Sequence, residues 1–149
     1  SQKNIYIAFI IEFAIETGMR RSEILKLGWT DIDFTNGFAF LYDTKNGEDR
    51  KVPLTKRCMK LLQKVPQSHE KVFPITANCL RLAWGRARAK AGIKDLRFHD
   101  LRHEAISRFF EMGMSIPEVA LISGHKDVRQ LLRYTHLNPT NIFKKYEEF

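Results

Sequence analysis

The segment from position 97 to 103 combines basic and apolar residues in an unusual order, and it opens a predicted helix that runs to about Gly113. One face of that helix is apolar and contains Phe98, Leu101, Ala105, Phe109 and Met112. His99, Arg102 and His103 lie inside or at the border of this face, where an amphipathic helix usually carries no charge. A buried guanidinium costs roughly several kcal/mol unless an anion meets it. The pattern predicts either a pocket for a phosphate or carboxylate group, or a helix whose basic side chains pair with acids elsewhere in the core.

Four further residues could take part in the same chemistry. Arg20 lies in a tight connection between two predicted helices, Lys45 lies near a hairpin tip, and His125 and Tyr134 follow in the last third. Arginines can hold the nonbridging oxygens of a phosphodiester and stabilise a phosphorane. A tyrosine hydroxyl has a reference pKa of about 10, so a tyrosine nucleophile needs a neighbouring base such as histidine. The set is sufficient for phosphodiester transfer with no metal or other cofactor.

Ordinary structural roles remain open for these residues at the local level. A solvated loop arginine would look like Arg20, and a solvated hairpin tip would look like the segment around Lys45.

The composition favours a polyanionic partner, because 25 Lys and Arg residues against 17 Asp and Glu give a net charge of +8. The 149 residues, 44% of them hydrophobic, predict one compact domain.

Helical periodicity surrounds the candidate residues on both sides. The first predicted helix runs from about Asn4 to Thr17 and is terminated by Gly18, and Ser22 is a plausible N-cap for a second helix reaching Gly28. The remaining predicted helices span 55–65, 76–91, 115–124, 127–133 and 138–149. The apolar run in the first helix is interrupted by Glu12 and Glu16 and is much shorter than about 20 residues, so it predicts a core helix rather than a membrane span.

Between Trp29 and Pro53 the period changes to two. Apolar residues alternate at Ile32 and Phe34, at Phe38, Phe40 and Tyr42, and at Val52. Asn36-Gly37 and Asn46-Gly47 are turn signals. The fold class predicted from these patterns is α+β, mainly helical with a small three-stranded antiparallel sheet near the N-terminal third.

Five motifs, taken in order, resemble those of the tyrosine recombinase or phage integrase family. The first is Thr17-Gly18-Met19-Arg20-Arg21-Ser22-Glu23, which is similar to the family's first arginine box, and Thr44-Lys45-Asn46-Gly47 resembles its lysine hairpin. His99-Asp100-Leu101-Arg102-His103 is similar to the His-x-x-Arg box. Ser123-Gly124-His125 resembles the Leu-Gly-His motif, and Arg133-Tyr134-Thr135-His136 resembles the nucleophile motif.

The resemblance implies a role for each matched residue. Tyr134 would attack the scissile phosphate and become joined to the DNA 3′ end, and Arg20 and Arg102 would clamp that phosphate. His99 would serve in proton transfer and phosphate contact, and His125 would be a second histidine on the phosphate. Lys45 would be the general acid for the departing 5′ oxygen. Glu23 would orient the arginine connection, whereas His103 and His136 look structural.

The same resemblance predicts how the chain works as a whole. It implies a site-specific recombinase or integrase that cleaves and rejoins double-stranded DNA through a 3′-phosphotyrosine, without metal. Residues 1–149 would be the catalytic domain, with the family's N-terminal DNA-binding domain absent. We expect a monomer in isolation and a homotetramer on DNA, located in the cytoplasm at the nucleoid and not in a membrane. The terminal segment from Asn138 would dock on a neighbouring subunit or pack on its own domain.

Two other functions are consistent with parts of the sequence. A metal-dependent nuclease could use His99 and His103, four residues apart on one helix, with Asp31 or Asp33 as further ligands. A noncatalytic DNA-binding regulator derived from an integrase would retain the basic charge but would not need Tyr134 nine positions after His125. The target sequence, and the choice among integration, excision, inversion and resolution, do not follow from the sequence.

Overall fold

A computed structural model describes residues 2–42, 47–135 and 138–149 of the chain. Its helices in these ranges are α1 (Gln2–Thr17), α2 (Arg21–Lys26), α3 (Lys56–Lys64), α4 (Ala77–Lys90), α5 (Asp100–Glu111), α6 (Ile116–Ser123) and α7 (Pro139–Glu147). Its strands are β1 (Ile32–Asp33), β2 (Phe38–Leu41) and β3 (Arg50–Pro53). Two 3₁₀ helices, Trp29–Asp31 and Val128–Tyr134, complete the regular structure.

The three strands form one antiparallel sheet in the order β1-β2-β3. Ile32 is opposite Ala39 in the first pair, and Ala39 is opposite Val52 in the second. The tight turn between β1 and β2 contains Gly37 with a φ of 76°, a conformation that favours glycine. The predicted α+β class, mainly helical with one small three-stranded sheet, is confirmed.

The buried face of β2 differs from the face that the aromatic alternation suggested. Ala39 and Leu41 are 0% and 5% exposed and face the core, whereas Tyr42 is 59% exposed. Phe38 and Phe40 are only half-buried, and the Lys51 ammonium lies 4.3 Å from the Phe38 ring centre. The period of two was right but its phase was wrong, because aromatic rings outside the core can still be covered by a neighbouring cation.

The core is organised around α1, which packs against α5 and also contacts α3 and α4. Ile10 and Phe13 on α1 are fully buried, and Phe13 meets Phe73 edge to face with ring centres 5.4 Å apart. Gly18 ends α1 with a φ of 69°, as predicted, and a Cβ at this position would lie 3.4 Å from the Ala105 Cβ on α5. The close approach brings the chain after α1 directly onto the helix that carries Arg102.

The start of α2 was predicted two residues too late. Ser22 is not its N-cap, because the helix begins at Arg21 and Arg20 occupies the cap position. Arg20 has no short oxygen side chain to cap with, and its own backbone N–H donates instead to Glu23 Oε1 at 2.9 Å. The helices predicted to start at 55, 76, 115, 127 and 138 are confirmed. Each of these positions is an N-cap whose side chain accepts a hydrogen bond from a backbone N–H group, namely Thr55, Thr76, Ser115, Asp127 and Asn138.

Two apolar segments lie outside the core. Met112, expected on the buried face of α5, is 59% exposed, because α5 ends at Glu111. Every residue of α7 is exposed, including Phe143 at 60% and Tyr146 at 71%.

In the described ranges no helix is both long and apolar enough to cross a membrane.

Candidate active site

Arg102 faces the interior, as its place on the helix predicted, but neutral oxygen atoms meet it rather than a carboxylate. Its Nη1 donates to the Gly18 carbonyl at 2.7 Å, and its Nη2 donates to the Ser123 carbonyl at 2.8 Å. The side chain is almost completely buried, and burial together with nearby Arg20 lowers the pKa of Arg102 to about 10. The guanidinium stays charged at neutral pH, so the site retains a net positive charge that an anion can neutralise.

Arg20 has a donor without a partner. Its Nη1 is buried and forms no hydrogen bond with any residue that the structure describes, and the nearest acid, Glu23, is 3.8 Å away. A buried N–H group without an acceptor costs about 1–3 kcal/mol, so such groups are rare in a folded protein. The tight connection between α1 and α2 therefore aims a charged donor at a position where a ligand oxygen would satisfy it.

A buried ion pair fixes this connection from the other side. Arg50 on β3 makes two hydrogen bonds to Glu23, at 2.8 and 3.1 Å, and its Nε donates to the Ile122 carbonyl at 2.8 Å. Burial opposes ionisation of Glu23, but the bonds from Arg50 and from the Arg20 N–H outweigh it and hold the Glu23 pKa below its usual value. One guanidinium thus connects the hairpin, the start of α2 and the end of α6.

Gly124 ends α6 where Arg50 leaves no room for a side chain. Its φ is 78°, and a Cβ on it would lie 2.7 Å from Arg50 Nη1. The turn places the ring of His125 against Ser123, with Ser123 Oγ 2.6 Å from His125 Nδ1. Burial, followed by the fields of Arg102 and Arg20, lowers the pKa of His125 to about 4, so this histidine is neutral at physiological pH.

His99 occupies the N-cap position of α5 and is largely exposed. Its ring lies edge to face with that of His103, with ring centres 5.0 Å apart. Desolvation is the main cause that lowers the His99 pKa, and the positive charges of Arg102 and Arg20 add to it. His99 is therefore a neutral ring at the mouth of the site, able to accept or donate one hydrogen bond.

The hydroxyl of Tyr134 lies at the end of the second 3₁₀ helix and contacts two basic side chains. His103 Nδ1 is hydrogen-bonded to it, and Arg133 Nη2 donates to it at 2.8 Å. Phe110 on α5 stacks on the Tyr134 ring with ring centres 6.3 Å apart. The tyrosine is thus held against α5 by one stacking contact and by polar contacts to its oxygen.

These residues line one cleft of about 480 Å³. Five of the six predicted site residues are in its wall, namely Arg20, His99, Arg102, His125 and Tyr134. A second cleft of about 440 Å³ shares Arg20, His99 and Arg102 with the first. The sixth, Lys45, lies outside the described residues. Separate segments of the chain therefore bring together a tyrosine hydroxyl, two guanidinium groups and two neutral imidazoles.

Sequence reasoning underestimated two residues around the cleft. A solvated tip was one of the readings open for the hairpin around Lys45, yet only 7% of the side chain of Arg50, just beyond that tip, is exposed. Its signal was its register, because it lies two residues from the buried Val52 and so shares the inner face of β3. His103 was interpreted as structural, and the hydroxyl that it contacts is 31 positions away in sequence.

The carboxylates that a metal-dependent nuclease would need are engaged elsewhere. Asp31 accepts a hydrogen bond from the Gly28 N–H at 2.9 Å, and Asp33 accepts two from backbone N–H groups in the β1-β2 turn. Within 2–42, 47–135 and 138–149 no group of three or more His, Cys, Asp or Glu could hold a metal ion. Neither aspartate lines the clefts that contain His99.

Known proteins resemble this chain in both sequence and fold. The model of the phage integrase family matches residues 1–141. A shufflon-specific DNA recombinase of Escherichia coli is 47% identical over 98% of this chain, which corresponds to 38% of that relative's length. The solved catalytic domain of bacteriophage HP1 integrase has a TM-score of 0.74 at 22% identity and covers 98% of this chain and 90% of its own. A Tn1549 transposon integrase solved in complex with circular intermediate DNA also has a TM-score of 0.74, at 22% identity, over 95% of this chain and 57% of its own.

The fold is therefore the one seen in a solved integrase catalytic domain. The chain belongs to the phage integrase family. It spans well under half the length of the recombinase of Escherichia coli that it resembles.

Proposed function

We propose that this chain is the catalytic domain of a site-specific tyrosine recombinase or integrase, which cleaves and rejoins DNA strands through a 3′-phosphotyrosine intermediate. The observation that carries the proposal is the cleft in which the Tyr134 hydroxyl shares a wall with Arg20, Arg102 and His125. Membership of the phage integrase family and the 47% identity with a DNA recombinase support it.

The scissile phosphate would bind between the two arginines. Arg20 has a buried Nη1 free of hydrogen bonds within the described chain, and that donor fits a nonbridging oxygen. Arg102 donates one hydrogen bond from Nη1 and one from Nη2 to backbone carbonyls. These two bonds hold the positive charge in place and fix the direction of its remaining N–H groups. Both charges become more favourable as the phosphorane gains negative charge, which is how they would lower the barrier.

The two neutral imidazoles and the lysine complete the proposed machinery. His99 at the mouth of the cleft and His125 beside Arg102 would each contact a phosphate oxygen. An imidazole with a lowered pKa contributes a hydrogen bond without adding a full charge. Lys45 would protonate the departing 5′ oxygen, and no metal ion or other cofactor takes part in this scheme.

The partner that we propose is double-stranded DNA, which the net charge of +8 favours. We further propose that the protein is monomeric alone and forms a homotetramer on DNA, in the cytoplasm at the nucleoid. The apolar residues of α7 support assembly, because Ile142, Phe143 and Tyr146 are 45%, 60% and 71% exposed. In the tetramer, α7 of each subunit would dock on a neighbouring subunit.

Trapping the covalent intermediate tests the proposal. Nicked duplexes tiled across the DNA on either side of the gene are incubated with the protein and analysed by denaturing electrophoresis. We expect an adduct that resists denaturation, forms in the presence of EDTA and disappears in Tyr134→Phe. The phenylalanine variant keeps the ring that stacks on Phe110 and loses only the hydroxyl.

Three results would contradict the proposal. An adduct that Tyr134→Phe still forms would assign the nucleophile to another residue. Cleavage that EDTA abolishes and an added divalent ion restores would favour the metal-dependent nuclease. DNA binding without any adduct on the tiled duplexes would favour the noncatalytic regulator.

A further inference from the structure

The Tyr134 hydroxyl must lose its proton when it attacks, and none of the residue roles proposed above accepts that proton. Family resemblance gives a proton-transfer role to His99, yet His99 makes no hydrogen bond to Tyr134 within the described chain. The imidazole that contacts the Tyr134 hydroxyl is His103, one helical turn further along α5. Because i and i+4 residues of a helix share a face, both rings line the same cleft but only one reaches the tyrosine.

We propose that His103, rather than His99, accepts the proton of the Tyr134 hydroxyl during attack, and that Arg133 stabilises the phenolate as it forms. The proposal rests on the proposed function, since it concerns the nucleophile of that reaction. Its geometric basis is a three-membered cluster, in which His103 Nδ1 and Arg133 Nη2 both contact the same oxygen.

The proposal fixes the tautomer of His103. Arg133 Nη2 lies 2.6 Å from His103 Nδ1 and 3.1 Å from Nε2, so this contact does not distinguish the two ring nitrogens. Only a nitrogen with a free lone pair can accept the tyrosine proton, so in the reactive form Nδ1 is bare and the ring proton is on Nε2. A bare Nδ1 hydrogen-bonded to the Tyr134 oxygen is in position to receive its proton.

Charged and titratable neighbours keep His103 unprotonated before the reaction. Desolvation lowers the His103 pKa, the charge of Arg133 lowers it further, and Arg102 acts in the same sense, while Asp100 opposes them. The facing groups are Arg133 and Tyr134 from the 3₁₀ helix and His99, Asp100 and Arg102 from α5. Arg129 also lines the cleft. The ring is therefore neutral at physiological pH, which is the form that a base needs.

The proposed step balances in both directions. As the Tyr134 oxygen bonds to phosphorus, its proton moves to His103 Nδ1, and the bond from phosphorus to the 5′ oxygen breaks. The 5′ oxygen takes its proton from the general acid, for which Lys45 is proposed. On rejoining, the 5′ hydroxyl attacks and returns a proton to that acid, and the departing tyrosine oxygen recovers its proton from the His103 imidazolium.

The decisive variant is His103→Asn, measured in the whole protein with a nicked duplex on which the unmodified enzyme forms its adduct. An asparagine side chain can replace the hydrogen bond at Nδ1 but cannot accept the proton. We expect single-turnover adduct formation to slow by about 10²- to 10⁴-fold, the usual contribution of general acid–base catalysis. Affinity for the intact duplex is measured in parallel and should change little, since the tyrosine hydroxyl is not a DNA anchor.

The pH profile separates a base from a positioning contact. For the unmodified protein the rate should fall on the acid side, below an inflection lower than 6.5, as His103 becomes protonated. His103→Asn should lack that inflection and increase in rate with hydroxide concentration instead. An unchanged inflection in the asparagine variant would assign it to another group and overturn the proposal.

A more acidic nucleophile gives an independent test. A fluorinated tyrosine at position 134 ionises more readily than tyrosine and depends less on a base, so the defect of His103→Asn should shrink in that background. The matched control is His99→Asn, whose defect should be the same with either nucleophile because His99 does not touch the hydroxyl. If His103→Asn forms adduct at the unmodified rate, or if its defect is unaffected by fluorination, the proposal is wrong while the Tyr134 chemistry still stands. Failure of the unmodified protein to form any adduct would reject the proposed function itself.

Discussion

At the scale of single residues, the two arginines of the site have different surroundings and therefore different tasks. Arg102 is anchored by two backbone carbonyls and works as a fixed charge, whereas Arg20 keeps a buried donor free of protein partners in the described ranges. Removing Arg102 would remove two tertiary hydrogen bonds as well as a charge. Removing Arg20 would remove mainly a contact to the ligand. Activity measurements on Arg102 variants therefore need a stability measurement beside them.

The proposed role of Lys45 predicts a specific substrate effect. A 5′ alkoxide is a poor leaving group, and general acid catalysis of its departure contributes about 10²- to 10⁴-fold. Lys45→Ala should cleave normal DNA more slowly by that factor. When sulfur replaces the bridging 5′ oxygen, the leaving thiolate needs no proton, and most of the loss should be recovered in single-turnover cleavage assays.

The matched control for this substrate is Arg20→Ala. Its predicted partner is a nonbridging oxygen, which the sulfur substitution leaves unchanged, so no comparable recovery is expected. Equal defects of Lys45→Ala on both substrates would mean that the lysine binds or positions DNA, and the general acid would have to be another group.

At the scale of elements, Arg50 connects three parts of the fold, namely β3, α2 and α6. It reaches from β3 to Glu23 on α2 and to the carbonyl of Ile122 on α6. Truncating one partner of a buried ion pair leaves the other charge unpaired, which typically costs about 3–5 kcal/mol. Arg50→Met should lower the free energy of unfolding by that amount in denaturant titrations.

The neighbouring Lys51→Met is the control for Arg50→Met. Lys51 is exposed and makes cation–π contacts with Phe38 and Phe40, so its loss should cost about 1 kcal/mol or less. Combining Arg50→Met with Glu23→Gln removes the buried charge that the single variant leaves behind. The double variant should then be less destabilised than the sum of the two single changes. Additive costs would show that the pair is not coupled.

Gly124 supplies a second test of the same contact. Gly124→Ala adds a Cβ that would lie 2.7 Å from Arg50 Nη1, in a residue whose φ is 78°. Gly92 has a φ of 72° with no atom within 4 Å of the same added carbon. Gly92→Ala should therefore cost only the left-handed conformation, about 1–2 kcal/mol, and Gly124→Ala should cost clearly more. If Gly124→Ala and Gly92→Ala have equal midpoints in thermal unfolding, the Arg50 side chain moves aside at no cost in stability.

At the scale of the whole molecule, α7 is the element least attached to the domain. All of its residues are exposed, and Asn138 caps it through a hydrogen bond to the Thr140 N–H. Replacing Phe143 and Tyr146 by serine should leave the thermal unfolding midpoint nearly unchanged, because these side chains are 60% and 71% exposed in the monomer. The same replacement should reduce the assembly of several protomers on DNA in gel-shift or sedimentation measurements.

A control within the core distinguishes assembly from folding. Phe109→Ser on α5 should unfold the domain, because that ring is 4% exposed. If the α7 variant unfolds in the same way, the helix packs on its own domain and the proposed docking on a neighbour is wrong. If assembly on DNA is unchanged, another surface joins the protomers.

The sequence by itself determined the elements and their order. Periodicity and capping residues are local signals, which is why Thr55, Thr76, Ser115 and Asp127 predicted helix starts that the structure contains. Motif order likewise predicted which side chains line the cleft, with Arg20, His99, Arg102, His125 and Tyr134 now in one wall. The alternation in β2 did not predict which of its two faces is buried, because alternating aromatic residues do not reveal which face a neighbouring element covers.

Only the tertiary structure decided which atoms meet. The Glu23 carboxylate pairs with Arg50, 27 positions away, and the Tyr134 hydroxyl contacts His103, 31 positions away. Neither contact follows from the residues beside it, because a salt bridge or hydrogen bond depends on distances of about 3 Å that packing of separate helices and strands sets. The same packing places two backbone carbonyls against Arg102. Because every residue has a backbone carbonyl, these partners leave no signal in the sequence.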